Sequence, residues 1–217
     1  MASTQRLVTL SDPRSPVAEA YRTLRSNIQF SNLDHPARTI LVTSAGSREG
    51  KSATLCNLAV TLAQSGTKTV VVDCDMRHPA IHEMFDLANN KGLSTLLSGP
   101  EEALPIQATA VPNLSAITSG PLPPNPADLL STQKMQSLLE SLADSAEMVL
   151  LDAPPLGFVA DAAILASRVD GAILVVTAGN TRRDVAARAK ATLEKANARV
   201  LGVVLHNARV DSRLLNY

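Results

Sequence analysis

The sequence predicts a three-layer α/β domain, a mostly parallel sheet with helices on both faces. Three observations predict it. Continuous apolar runs, the signature of strands buried on both faces, occur at Thr39–Thr43, Thr69–Asp73, Met148–Asp152, Gly171–Thr177 and Val200–Leu205, with a weaker one at Leu114–Thr118. Helix-period segments alternate with them at Lys51–Gln64, Thr132–Ala143, Asp161–Ser167 and Arg183–Ala196, which requires right-handed parallel crossovers. Finally, 217 residues with 45% hydrophobic content suffice for one domain, residues 1–217, whose core buries roughly 70% of the unfolded surface.

The elements follow in chain order. A helix is expected over about 15–30, with Ser15 as its cap, Pro16 at the first helical position and Glu19 in the first turn. Val17, Tyr21, Leu24 and Ile28 make an apolar stripe on it, and Glu19, Arg22, Ser26 and Gln29 a polar one. The first strand feeds the helix at Lys51 through a short glycine-containing loop, and the second strand ends on Asp73. His78 and His82 follow at i,i+4 on an expected short helix; the spacing can chelate zinc, but no third ligand stands near. Gly99–Pro126 holds seven of the thirteen prolines and reads as mostly loop, a rigid surface excursion rather than a domain boundary. After the last strand, about 208–217 is expected to be a short tail.

Composition excludes several classes. The 20 Lys and Arg cancel the 20 Asp and Glu, which removes the diffuse attraction on which non-specific nucleic-acid binding depends. No run approaches the roughly 18 apolar residues that span a bilayer, and Met1–Leu10 lacks a leader pattern, so the chain is expected in the cytoplasm. Cys56 and Cys74 have no paired spacing and are expected as reduced thiols.

Directly after the first strand stands Ala45-Gly46-Ser47-Arg48-Glu49-Gly50-Lys51-Ser52, followed by Ala53 and an amphipathic helix. Strand, tight turn and helix N-terminus are the setting in which a phosphate-binding loop works, because the first helical amides and the helix dipole face an anion. Lys51 would reach the β and γ phosphates of ATP or ADP, and the Ser52 hydroxyl would bind Mg²⁺. Alanine replaces the usual first glycine; a positive φ at Ala45 would cost on the order of 1 kcal/mol. Arg48 at the loop tip is expected to point to solvent.

Three acids end two of the strands: Asp73 and Asp75 after one, Asp152 after another. In an open parallel sheet the carboxyl ends of the strands form the ligand crevice, so all three can converge on one Mg·nucleotide. Asp152 is expected to support Mg²⁺, a hard cation that prefers oxygen ligands. Asp73 and Asp75 are placed to orient or deprotonate a nucleophile and to hold the metal's waters.

These residues resemble the bacterial tyrosine kinases of the CpsD/CapB type, over nearly the whole chain. The resemblance rests on the P-loop, on Val70–Arg77 followed by His78-Pro79, on Val149-Leu-Leu-Asp152-Ala-Pro-Pro155, and on Ser15–Asn27. It implies an ATP-dependent protein-tyrosine autokinase acting in capsule or exopolysaccharide export. In those terms Lys51 and Ser52 hold nucleotide and magnesium, Asp75 and Asp152 support the metal, and Asp73 is the candidate base. Glu19, Arg22 and Arg25 match the motif through which the family packs into rings. A separate transmembrane copolymerase, whose cytoplasmic tail docks on the kinase, would hold it at the inner face of the membrane.

The sequence also departs from the family pattern. Where the family has an adenine-contacting asparagine, this chain has His206-Asn207. The usual tyrosine-rich tail is nearly absent: of two tyrosines, Tyr21 lies on an apolar stripe, which leaves Tyr217 as the candidate phosphoacceptor. A partition- or septum-type ATPase switch is the alternative, although the signature lysine of that group is missing between Gly46 and Gly50. A weakly active regulatory scaffold with the same fold is another.

Overall fold

The computed structural model describes residues 7–30, 36–100 and 103–208. Seven strands form one sheet in the order β3-β4-β2-β5-β1-β6-β7. In chain order they are β1 (Thr39–Ser44), β2 (Thr69–Asp73), β3 (Gln107–Ala108), β4 (Leu114–Ile117), β5 (Met148–Asp152), β6 (Gly171–Thr177) and β7 (Val200–His206). Every neighbouring pair is parallel except β3 with β4. The predicted strands are all present, because central strands covered on both faces read as unbroken apolar runs.

Alternate residues of the strands feed two cores. On one face Ile40, Val42, Val71 and Leu150 pack under α1 (Val8–Ser11), α2 (Pro16–Phe30), α3 (Lys51–Gln64) and α4 (Ile81–Phe85). On the other, Leu41, Val72, Val149 and Leu151 pack under α5 (Leu93–Ser98), α6 (Pro126–Ser131), α7 (Gln133–Ser145), α8 (Asp161–Ala166) and α9 (Arg183–Lys195). Helix, sheet and helix make the three expected layers.

The predicted cap at Ser15 holds: the Ala18 amide donates to Ser15 Oγ at 3.2 Å at the start of α2. The structure adds a second at the start of α7, where the Met135 amide donates to Thr132 Oγ1 at 3.3 Å. One expectation is corrected. His78 precedes α4 and only His82 lies on it, so the two do not share a helix face. The proline-rich stretch is mostly loop; within it the expected strand β4 pairs with the short edge strand β3, and Pro126 opens α6.

Asp170 ties the sheet together near the start of β1. Its Oδ2 accepts from the amides of Arg38 and Thr39 and from the Thr39 hydroxyl, at 2.8–2.9 Å. That fixes the amino end of β1 against the start of β6.

Candidate active site

The loop from β1 to α3 turns on two left-handed residues, Arg48 (φ 59°) and Gly50 (φ 77°). The strain considered for Ala45 therefore falls on Arg48, at a cost of about 1 kcal/mol. Arg48 and Ser47 are exposed, Ala45 and Glu49 buried. Glu49 folds back beneath the loop: its Oε2 accepts from the Gly46 amide at 2.9 Å and its Oε1 from the Thr181 hydroxyl at 2.5 Å. Thr181 Oγ1 in turn accepts from the Thr177 amide at 2.8 Å, so β6 braces the loop from the side. Across from it stands the end of β7, where a Cβ on Gly50 would come 2.5 Å from His206 Nε2. Asn207 is the next residue, itself left-handed at φ 54°.

Lys51 is buried at the first turn of α3 and faces two acids. Its Nζ lies 2.9 Å from Asp75 Oδ2 and 3.0 Å from Asp152 Oδ1, and donates to Ser52 Oγ at 3.1 Å. The Ser52 hydroxyl donates to Asp152 Oδ2 at 2.5 Å. Burial works against the charge on Lys51, but Asp152 and Asp75 outweigh it and raise its pKa above the ordinary lysine value.

Asp73 and Asp152 are register partners in adjacent parallel strands, so both point to the α3 face. Burial, and then the Asp152 carboxylate beside it, push the Asp73 carboxyl up to about 8. Asp152 is raised too, by burial, against the pull of Lys51 and Ser52. Asp73 also organises backbone: its Oδ2 accepts from the amides of Ala80 and Ile81, both at 3.0 Å, which sets the start of α4, and its Oδ1 from the Asp75 amide at 3.2 Å. Asp75 Oδ1 accepts from the His78 amide at 3.1 Å.

The fold thus brings Lys51, Ser52, Asp73, Asp75 and Asp152 together and sets His206 and Asn207 at the rim. Ser52 Oγ and Asp152 Oδ2, side by side, are hard oxygen donors of the kind that suits Mg²⁺, an ion that keeps several waters and takes few protein ligands. Glu19, Arg22 and Arg25 lie apart on α2. Arg22 Nη1 donates to Glu19 at 2.7 Å, while Arg25 Nη1 reaches the Thr61 carbonyl of α3 at 3.0 Å. Tyr21 is half-buried, and burial raises its phenol pKa. Tyr217 lies outside the described residues.

Two contacts around the site had no sequence signal. Arg77 Nε pairs at 3.1 Å with Asp161 Oδ2, a carboxylate only 1% exposed that reads in the sequence as no more than a helix start. Glu49 meets Thr181 across 132 positions of the chain. Neither spacing is periodic, so only the tertiary fold reveals the pairs.

Known proteins share this arrangement of sheet and loops. A family model described as ParA, NUBPL iron-transfer P-loop NTPase, matches residues 36–210. The tyrosine-protein kinase YwqD of Bacillus subtilis (strain 168) is 39% identical over 210 residues, which cover 95% of this chain and 88% of that protein. Among solved structures, the chimerical protein CapA2B2 matches with a TM-score of 0.91 at 37% identity, over 95% of this chain and 91% of that one. The kinase domain of the Escherichia coli tyrosine kinase ETK matches with a TM-score of 0.88 at 30% identity, over 94% and 82%.

Proposed function

The chain belongs to the bacterial tyrosine-protein kinases, a branch of the ParA-type P-loop NTPases, and on that premise we propose that it is an ATP-dependent protein-tyrosine autokinase regulating the polymerisation and export of capsule or exopolysaccharide. One observation carries the reading: Lys51 meets Asp75 and Asp152 within 3.0 Å at the start of the helix that follows a phosphate-binding loop. A lysine held charged at that place is poised to exchange its carboxylate partners for the β and γ phosphate oxygens.

The loop residues Ala45–Ala53 cradle the phosphates with backbone amides, and His206 and Asn207 border the base. Ser52 and Asp152, with Asp75 behind them, would hold Mg²⁺, which when bound neutralises charge on the β and γ phosphates. Asp73, with its high proton affinity and its carboxylate oriented by three amides, takes the proton of the acceptor tyrosine. The phenol oxygen bonds to the γ-phosphorus as the bond to the ADP oxygen breaks, and Lys51 balances the charge left on ADP.

The remaining assignments rest on the family. Glu19, Arg22 and Arg25 join copies into a ring, and Tyr217 accepts phosphate in a neighbour's site. No helix among the described residues is long and apolar enough to cross a membrane, which fits a kinase held at the membrane's inner face by a separate transmembrane partner. Incubation with ATP and Mg²⁺ and the partner's tail, read by intact mass and phosphotyrosine, tests the activity. Phosphate is expected on the wild type and none on Lys51→Met; an unphosphorylated wild type would sink the reading. A nucleotide-controlled switch is the second reading, favoured by the ParA family match, and an ATP-dependent dimer that forms without phosphorylation would support it.

A further inference from the structure

The α2 side of the sheet ends in an open groove. Val17, Tyr21 and Leu24 of α2 form one wall, and Val203, Leu205 and Ala208 the other, around a volume of about 650 Å³. A second hollow of about 180 Å³ continues it between Leu24–Ile28 and Leu201–Val204. The later half of α2 thus lies beside the start of β7 and the earlier half beside its end, so helix and strand run antiparallel. The groove is apolar and open: Val17, Val203 and Leu205 are 47%, 56% and 55% exposed. β7 also closes the sheet, so its outer N–H and C=O groups face no strand among the described residues.

We propose that this groove holds the chain's own C-terminal segment, residues 209–217. The segment starts on the wall it would fill, because Ala208 lines the groove. Asn207, left-handed at φ 54°, turns the chain away from the line of β7 just before that point. Nine residues reach about 30 Å when extended, more than the roughly 23 Å of a seven-residue strand such as β7. The sequence Arg209-Val-Asp-Ser-Arg-Leu-Leu-Asn-Tyr217 brings Val210, Leu214, Leu215 and Tyr217 to a surface that exposes Val17, Val203 and Leu205. A segment tethered at the rim has an effective concentration on the order of millimolar, which favours it over a second copy. His206 and Asn207, which the proposed function sets beside the base, also line one end of the groove, so the docked segment and the nucleotide base adjoin there. While docked, the segment would hold Tyr217 beside α2, so phosphate transfer to Tyr217 in a neighbour's site requires the segment to leave the groove.

The test uses the full chain with Val203→Cys, alkylated by N-ethylmaleimide and followed by intact mass. Cys56 and Cys74, 0% and 1% exposed, stay silent, and a second adduct would report misfolding. Alkylation of Cys at 203 is expected to be roughly tenfold slower in the full chain than in a chain ending at Ala208, the slowing given by a site closed about nine-tenths of the time. Leu214→Asp with Leu215→Asp, in the full-length chain, is expected to restore the fast rate. Equal rates in all three proteins would overturn the proposal. Protection that disappears on hundredfold dilution would overturn it as well, by assigning the groove to a second copy.

Discussion

Gly50 is under two constraints that only a glycine satisfies together. Its φ of 77° is costly for any side chain, and a Cβ there would run into the His206 ring. Gly50→Ala is expected to lower stability by more than the ~1 kcal/mol of the backbone term alone. Adding His206→Ala should return the cost to about that term, since only the steric part is shared; denaturant midpoints of the four proteins in a double-mutant cycle measure it. Asp73 is the other decisive residue. Asp73→Asn keeps one oxygen for the amides of α4 but cannot take a proton from a phenol. Autophosphorylation is expected to fall by about 10²–10⁴ while nucleotide affinity, measured by calorimetry, stays near wild type.

At the scale of elements, short side-chain contacts set where helices begin and how they dock. Thr132 caps α7 through the Met135 amide. Thr132→Ala is expected to cost about 1 kcal/mol in a urea melt without changing nucleotide binding, because α7 lies on the face away from the loop. Arg25 spends a donor on the Thr61 carbonyl and so clamps α2 onto α3. Arg25→Ala should therefore cost about 1 kcal/mol of stability in addition to any loss of assembly. Arg22, whose partners Glu19 and Pro13 are local to α2, should affect assembly alone. Thermal melts and light scattering on the two variants separate the effects. The short elements α5 and β3 went unread in the sequence for a physical reason. With six residues or fewer they show less than two turns of helical period or too little alternation, and tertiary contacts such as the Leu93 and Ser94 amides with the Thr118 and Ser119 carbonyls define them.

In the whole molecule, the carboxylates gathered at the strand ends couple folding to pH. Asp73 is raised from about 3.8 to about 8, so the folded state keeps a proton that the unfolded chain releases. Its contribution to stability is full below about pH 4 and is lost as pH rises through about 8. Asp152, raised as well, adds to it in the same direction. The melting temperature of the nucleotide-free protein is expected to fall between pH 5 and pH 8, and Asp73→Asn to flatten that slope; a steeper slope in the variant would contradict the assignment. The sequence alone determined the layers, the places of the main strands along the chain, the phosphate-binding loop and the acids at Asp73, Asp75 and Asp152. Burial on both faces and a helix N-terminus leave local, periodic marks. Only the tertiary structure decided that Lys51 lies between Asp75 and Asp152, that Glu49 is braced by Thr181, that Asp161 holds Arg77, and that an apolar groove opens beside β7. Those are meetings of side chains far apart in the chain, and no local pattern of hydrophobicity or charge encodes which of them will touch.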